Sequence, residues 1–438
     1  MSTSTAPRTA SGDVAIRDRA DVLRQVKTVV VLAIAALLVL LFALSVDDPK
    51  IYWTLEERAR LDTRRTLNAH VVAWSAFGYL VVALVLAALN RIRRGWVAGL
   101  VFFGAGLAFY AGFLMWFFAD QRELAGIGAI SIVNPLPQTV LYATPLVLGA
   151  LAGTLCERAG VVNIAIEGQF LMGAFFASVA SSLAYSAEAG LLGGALAGVA
   201  VASLLACFAI KFHINQIVLG VVLIALCLGL TNFLLGQIPT ARENPVLASY
   251  LNQPVTLDPI RIPVLADIPV LGPALFNQSL LAYLMYASVA LVTWLLFQTR
   301  WGLRVRAVGE HPKAVDTVGI NVARRRWSAV LLGGVFAGLG GAFFTVGSTG
   351  AFDQNPSNGQ GFIALAAVIM GRWHPIGATA AATFFGFMLA TRDQLSVLTK
   401  IDSELLSAAP YLATVIAVAG FVGRVRPPAA SGEPYLKS

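Results

Sequence analysis

The sequence predicts an all-α, polytopic bundle of transmembrane helices, and its composition and hydropathy support this fold class. Of its 438 residues, 58% are hydrophobic and only 12% are charged, whereas a soluble domain typically has about 45–50% apolar and about 25% charged residues. The mean hydropathy is +0.76. A single soluble core stops growing at roughly 250–300 residues, so a soluble fold of this length has no place for so much apolar surface. The composition therefore excludes soluble enzymes, coiled coils, disordered chains and secreted disulfide scaffolds.

Apolar runs long enough to cross a membrane recur along the chain. Crossing a bilayer core of about 30 Å takes roughly 20 helical residues. We predict about ten spanning helices, at 28–46, 70–89, 96–118, 132–155, 169–185, 191–210, 214–236, 279–297, 327–346 and 405–422. Two further runs, 362–371 and 376–390, are too short to span unaided. The interruption between them, at residues 372–375, predicts a re-entrant pair or a broken helix.

The distribution of basic residues predicts the orientation of the helices. The net charge is +8, and with the N-terminus inside, the cytoplasmic loops carry 20 Lys and Arg residues against 10 in the outer loops. Cytoplasmic loops of membrane proteins are enriched in Lys and Arg. Both termini are therefore predicted to be cytoplasmic. Because the basic residues lie in short loops between apolar runs, they indicate topology and no nucleic-acid partner.

From about residue 130 onward, glycines, prolines and amide side chains occur within the apolar segments, whereas the first three segments are plainly hydrophobic. This difference predicts how the chain is divided. We expect a cytoplasmic tail at 1–27, an accessory three-helix membrane unit at 28–125, a densely packed core at 126–423 and a second cytoplasmic tail at 424–438. In the core, pairs of glycines four residues apart recur, as at Gly149/Gly153, Gly194/Gly198 and Gly334/Gly338. Such pairs let helix backbones approach each other closely within a membrane.

The chain shows no catalytic or metal-binding motif. It has no Gly-Lys dipeptide, so a phosphate-binding loop of the G-x-x-x-x-G-K-[ST] type is impossible. Its four histidines are far apart, without an H-E-x-x-H motif, and no metal site is predicted. We therefore predict that the chain is not an enzyme, carries no cofactor and does not hydrolyse ATP by itself.

The loop at 299–326 concentrates charge, with seven of the 31 basic residues. Pro312 suits the first turn of a helix and Gly319 suits its end, which predicts a short amphipathic helix of about seven residues. One interpretation is a plain basic loop that satisfies the positive-inside rule. The other is a docking element for a cytoplasmic partner.

Two segments resemble signatures of the permease subunits of ATP-binding-cassette (ABC) importers. RWGLRVRAVGEHPKAVDTVGI, which begins at Arg300, is similar to the coupling loop of the branched-chain amino acid, simple sugar and nucleoside permeases. Glu157–Gly168 is similar to their ERxGVxNIxxEG motif, and nucleoside permeases are the closest. His311 stands where the family often has Asn. By position, the ATPase-coupling residues are Arg304, Arg306, Gly309, Glu310, Pro312 and Gly319.

The resemblance covers roughly residues 130–423 and implies a multi-pass permease of the plasma membrane. It implies a translocation path for a small polar solute, with nucleosides as the first expectation. The implied partners are a cytoplasmic ABC ATPase that uses ATP, a second homologous permease in a heterodimer, and an extracellular substrate-binding lipoprotein. Simple sugars and branched-chain amino acids are the alternative solutes, and an ion-coupled secondary carrier is the alternative class.

Polar residues in or beside the predicted spans are candidates for the substrate path. A carboxylate near membrane depth is costly, so Glu167 marks either a functional site or the start of a helix. Amide side chains suit a neutral, hydrogen-bonding solute, although they also hold membrane helices together. The candidates are Asn163, Glu167, Asn215, Gln216 and Asn232.

Overall fold

The computed structural model describes residues 19–46, 50–54, 65–92, 96–119, 130–131, 135–238, 250–398 and 426–436. The chain is mostly helical, with a few short strands. It forms two compact units that divide near residue 130. The predicted span at 405–422 lies outside the described residues.

The first unit is a bundle of three apolar helices, α1 (Arg19–Leu44), α2 (Ala69–Ala88) and α3 (Trp96–Ala119). Each of them packs against the other two. The strands β1 (Lys50–Thr54) and β2 (Arg65–Asn68) form an antiparallel hairpin before α2. Asn68 caps α2 by accepting a hydrogen bond from the Val71 N–H at 3.3 Å. The side chains that α2 buries are mostly small, namely Ala69, Ala73, Ala76, Leu80, Ala83 and Ala87.

The second unit contains the remaining elements. Its membrane-length helices are α4 (Pro135–Arg158), α5 (Ile166–Ala184), α6 (Ala187–Ala206), α7 (Gln216–Gln237), α9 (Leu280–Gln298), α12 (Val322–Ala342) and α14 (Pro375–Leu398). Its shorter helices are α8 (Leu271–Phe276), α10 (Arg300–Glu310), α11 (Pro312–Thr317) and α13 (Gln360–Met370). The strand β3 (Ile130–Ser131) lies at the unit boundary, while β4 (Pro259–Arg261) and β5 (Asn277–Ser279) pair antiparallel. Among the described residues, eight helices are long and apolar enough to cross a membrane: α1–α7 and α9.

Helix α4 lies at the centre of the second unit. In the stretch of α4 that is apolar enough to cross a membrane, 89% of the residues are buried. The helix packs against α9, α12, α13 and α14. Its threonines fit this apolar environment because each hydroxyl donates to the backbone carbonyl four residues earlier, at 2.7–2.8 Å. Helix α4 is therefore in direct contact with most of the long helices of this unit.

Glycines bring α6 and α12 into backbone contact. A Cβ added at Gly198 would lie 2.2 Å from the carbonyl oxygen of Gly334, and one at Gly338 would lie 2.2 Å from that of Gly194. A methyl group has no room at either crossing. The predicted small-residue contacts are confirmed here, and the third predicted pair packs against side chains of α5 and α13.

The predicted break at residues 372–375 is present between α13 and α14. Arg372 and Trp373 both adopt left-handed backbone conformations, with φ of 56° and 54°, which are unfavourable for residues other than glycine. The turn is held by the Arg158 side chain, whose Nε donates to the Trp373 carbonyl at 2.7 Å. The Trp373 indole N–H donates in turn to the buried carboxylate of Glu157.

Helix α14 is longer than its apolar run. It has 24 residues, about 36 Å at 1.5 Å per residue, but it is not among the eight described helices that are also apolar enough to cross a membrane. That the apolar run at 376–390 is too short to span unaided stays a prediction. The helix continues past the apolar run into polar residues, among which Arg392 and Asp393 pair with each other at 2.6 Å. Asp393 also accepts a hydrogen bond from the Tyr142 hydroxyl of α4.

Candidate functional site

Residues 299–326, called the docking loop below, contain the two short helices α10 and α11 and the first residues of α12. Thr299 caps α10, its hydroxyl accepting from the Gly302 N–H at 3.1 Å. Pro312 begins α11, and the chain turns after it at Gly319, whose φ is +79°. The helix predicted between Pro312 and Gly319 is confirmed, with six residues. Helix α10 was not predicted, although the cap at Thr299 was visible in the sequence.

One face of α10 rests on the end of α4. The buried residues of α10 are Gly302, Val305, Val308 and Gly309. Of these, Gly302 meets the backbone of α9 and Gly309 meets that of α4. A Cβ added at Gly309 would lie 2.2 Å from the carbonyl oxygen of Arg158. Only glycine allows this approach. Helices α10 and α4 are therefore in direct steric contact, so α10 cannot move towards α4 without displacing it.

A second contact joins α10 to the turn between α13 and α14. The Arg306 guanidinium lies 4.8 Å from the centroid of the Phe297 ring, a cation–π geometry. The His374 ring stacks on the same Phe297, with centroids 4.7 Å apart. Burial, and then the charge of Arg158, lower the pKa of His374 below its ordinary value, so its imidazole is neutral at physiological pH. Arg306 thus points into the protein.

The opposite face of the docking loop is open to solvent. Arg304 and Glu310 are exposed on α10, while Pro312 is half-buried. Gly319 is exposed, and an added Cβ would meet no atom within 4 Å. Next to it, the apolar side chain of Val318 is 71% exposed. The coupling residues therefore divide into an inward group at Arg306 and Gly309 and an exposed group.

The cap of α11 is incomplete. His311 occupies the N-cap position without a side-chain hydrogen bond to the helix. Its carbonyl accepts the first backbone bond of the helix, from the Val315 N–H at 3.1 Å. Asn at this position accepts a hydrogen bond from the first turn and is among the best N-cap residues.

The second motif forms a tight loop between α4 and α5, beside the docking loop. Gly160 turns the chain with φ of +83°. Gln216, the first residue of α7, accepts a hydrogen bond from the Val162 N–H at 2.7 Å. Asn163 is fully buried and donates to the Gln169 side chain at 3.1 Å. Two of the substrate-path candidates thus hold this loop in place.

Glu167 closes the start of α13. The side chain is buried, and its Oε1 accepts from the Ser357 hydroxyl at 2.6 Å and the Gly359 N–H at 2.9 Å. Its Oε2 accepts from the Gly361 N–H at 2.7 Å. A carboxylate is favourable at a helix N-terminus, where backbone N–H groups lack partners. Of the two roles expected for Glu167, this geometry matches the start of a helix, and that helix is remote in sequence.

The two remaining substrate-path candidates lie at different positions on α7. Asn215 is exposed and caps the helix, accepting from the N–H groups of Ile217 and Val218 at 3.0 and 3.2 Å. Asn232 is exposed near the other end, about 25 Å along the helix. The structure therefore brings Asn163 and Gln216 together at the α4–α5 loop and separates Asn232 from them.

Comparison with known proteins identifies the family. A family model described as "Branched-chain amino acid transport system / permease component" matches residues 136–422. The chain belongs to this permease family. The matched region includes the docking loop, the α4–α5 loop and Glu167. No solved structure matches the chain.

Three relatives of this permease are informative. The guanosine ABC transporter permease protein NupQ of Bacillus subtilis is 40% identical over 313 residues, 69% of this chain and 96% of NupQ. The nucleoside ABC transporter permease protein NupC of Lactococcus lactis is 38% identical over 330 residues, 70% of this chain and 100% of NupC. A second guanosine ABC transporter permease protein of the same Bacillus, NupP, is 24% identical over 289 residues, 61% of this chain and 76% of NupP.

Family membership decides the general role of the protein. It is a multi-pass permease of the plasma membrane, and it transports solute rather than catalysing a reaction. Permeases of this kind work with ATPase and substrate-binding subunits. The resemblance inferred from the two motifs, including the likeness to nucleoside permeases, is confirmed.

Proposed function

We propose that this permease forms part of the translocation path of an ABC importer for nucleosides. NupQ and NupC, named as guanosine and nucleoside permeases, share 40% and 38% of their matched residues with it over 96% and 100% of their own lengths. The observation that carries ATP-driven coupling is the docking loop. It presents Arg304 and Glu310 to solvent on one face, while its other face rests on α4 at Gly309. ATP is bound by a separate ATPase, and this chain contributes no cofactor.

We propose that the ATPase contacts the exposed face formed by Arg304, Glu310, Val318 and Gly319. The inward residues Arg306 and Gly309 then pass its movement to α9 and α4. A rigid-body shift of such a packed element is a common way to switch a protein between states.

A second, NupP-like permease completes the path in this proposal. Bacillus subtilis has two different guanosine permease proteins, and this chain is more similar to one of them, NupQ, than to NupP. A heterodimer follows from that pairing. A substrate-binding lipoprotein delivers the solute from outside. Within this chain, we propose that Asn163, Gln216 and Glu167 brace the fold and that Asn215 serves as the cap of α7. This leaves Asn232 as the candidate for the path.

The proposed topology places both termini in the cytoplasm. The excess of basic residues in the inner loops supports it, and residues 426–436 lie against the docking loop. An even number of crossings follows, ten if the pair at 362–371 and 376–390 is re-entrant and twelve if it spans. The predicted accessory unit at 28–125 contains the first three helices, except that α1 begins at Arg19 and so extends into the predicted tail at 1–27.

Reconstitution tests the proposal. The permease, a NupP-like partner, the ATPase and the binding protein are placed in liposomes, and uptake of labelled guanosine is measured with and without ATP. We expect accumulation only when both ATP and the ATPase are present. Accumulation without the ATPase would indicate an ion-coupled carrier. Uptake of glucose or leucine in place of guanosine would show that the solute is a sugar or a branched-chain amino acid.

A matched pair of charge reversals tests the docking face. Arg304→Glu changes an exposed arginine of α10, and Arg261→Glu changes an exposed arginine of β4. We expect Arg304→Glu to weaken binding of the ATPase to the detergent-solubilised permease, and Arg261→Glu to leave it unchanged. Equal effects of the two variants would contradict the assignment of the face.

A further inference from the structure

The C-terminal segment 426–436, called the tail strap below, is hydrogen-bonded to the docking loop. The Ala430 N–H donates to the Gly309 carbonyl at 2.9 Å. The Ala429 N–H donates to the Glu310 carboxylate at 3.2 Å. These bonds hold the C-terminal end of α10, where it meets α4.

The tail strap is also bonded to two other elements at this face. The Gly432 N–H donates to the Gly160 carbonyl of the α4–α5 loop at 3.3 Å. The guanidinium of Arg326, at the start of α12, is 1% exposed and donates to the Glu433 carbonyl at 2.9 Å. A buried cation needs such partners because its desolvation is costly. The strap therefore joins α10, the α4–α5 loop and α12.

An apolar contact completes the attachment. Tyr435 packs against Val308 of α10, Val315 of α11 and Val322 of α12. Burial and a hydrogen bond to Asp316 of α11 raise the pKa of the Tyr435 phenol. One side chain of the strap thus packs against a cluster formed by all three helices that meet in the docking loop.

We propose that the tail strap is a positioning element of the transporter, which holds α10 and α11 in register with α4 and so makes ATP hydrolysis productive for transport. This inference rests on the proposed function, because the strap acts through the docking loop. The two helices of that loop have 11 and six residues. Isolated helices of this length are marginal in water, so they need tertiary contacts to keep one position. The strap supplies such contacts at the C-terminal end of α10 and at the apolar cluster that joins α10, α11 and α12.

Two truncations and one pair of point variants test the strap. Truncation after Val425 removes it, while truncation after Leu436 removes only the last two residues and is the control. Tyr435→Ala removes the apolar contact, and Leu436→Ala, at a 67% exposed neighbour, is its matched control. Because the point variants keep the backbone bonds, they remain informative if the long truncation does not fold.

Hydrogen exchange of the permease alone provides the first measurement. We expect slow exchange at the Ala430 and Gly432 amides, and faster exchange throughout α10 and α11 after the long truncation or Tyr435→Ala. Free-peptide exchange rates at those two amides would overturn the proposal. Unchanged exchange in α10 and α11 in both variants would also overturn it.

The second measurement is the amount of nucleoside moved per ATP hydrolysed by the complete transporter. This ratio does not depend on how much active protein is present, so a mere loss of stability leaves it unchanged. We expect a fall of about fivefold, the change that the loss of one net hydrogen bond makes in an equilibrium. An unchanged ratio would overturn the positioning role and leave the proposed function intact. If the wild-type complex moves no nucleoside, the proposed function fails, and hydrogen exchange alone decides whether the strap positions the helices.

Discussion

Replacing Gly309 with alanine tests whether the contact between α10 and α4 carries coupling. The added Cβ would lie 2.2 Å from the carbonyl oxygen of Arg158 and 2.9 Å from its carbonyl carbon. Carbon–oxygen contacts settle at about 3.3–3.6 Å, so α10 has to move by about 1 Å. The obstructing atoms belong to the backbone and cannot rotate away. Overpacking of this kind costs about 1–3 kcal/mol, and the shift also strains the bond from Ala430 to the Gly309 carbonyl.

We expect Gly309→Ala to insert into the membrane, to unfold at a lower temperature and to move less nucleoside per ATP. Thermal unfolding in detergent and uptake in liposomes measure the two effects. Gly229→Ala is the matched control, because a Cβ at that position of α7 meets no atom within 4 Å, and alanine is favourable inside a helix. Wild-type uptake per ATP in Gly309→Ala would refute the reasoning, since the contact would then carry no coupling.

Four further predictions concern packing, capping and pH. Gly338→Ala places a Cβ 2.2 Å from the Gly194 carbonyl oxygen and should separate α6 from α12, which size-exclusion chromatography detects as less monodisperse protein; an unchanged profile would contradict the backbone contact. Glu167→Gln replaces one of two acceptor oxygens with a donor and should cost about 1–3 kcal/mol, seen as a lower unfolding temperature. His311→Asn adds the missing cap and should stabilise α11 by about 0.5–1 kcal/mol, slowing its amide exchange. The lowered pKa of His374 favours the neutral form in the folded state, so its contribution to stability is complete above pH 6.5 and is lost as the pH falls through the folded pKa; His374→Phe should reduce that acid-induced loss in unfolding scans.

Local patterns in the sequence predicted much of the fold. A spanning helix needs a long apolar run, and Pro312, Gly319 and the residues at 372–375 act on the backbone within their own turn. These features appear where they were predicted. Helix α14 continues beyond its apolar run into polar residues such as Arg392 and Asp393, and the hydropathy of the run alone does not indicate this extension.

The site was less accessible to sequence reasoning. The motif located the docking loop, yet the pattern did not indicate that Arg306 and Gly309 point inward while Arg304 faces solvent. That division depends on which side of α10 meets Phe297 and Arg158. The tail strap had no signal in the sequence, since the donors and acceptors that the strap itself contributes are backbone groups, which every residue carries.

By itself, the sequence determined that this protein is a helical membrane protein and which family its motifs resemble, and it predicted which way the loops face. Each of these is read from residues that are near one another in the chain. The tertiary structure alone decided that Glu167 closes a helix about 190 residues further on and that the C-terminal segment rests on α10. Such roles depend on the distance between groups that are remote in sequence, and only the packing of the helices sets that distance.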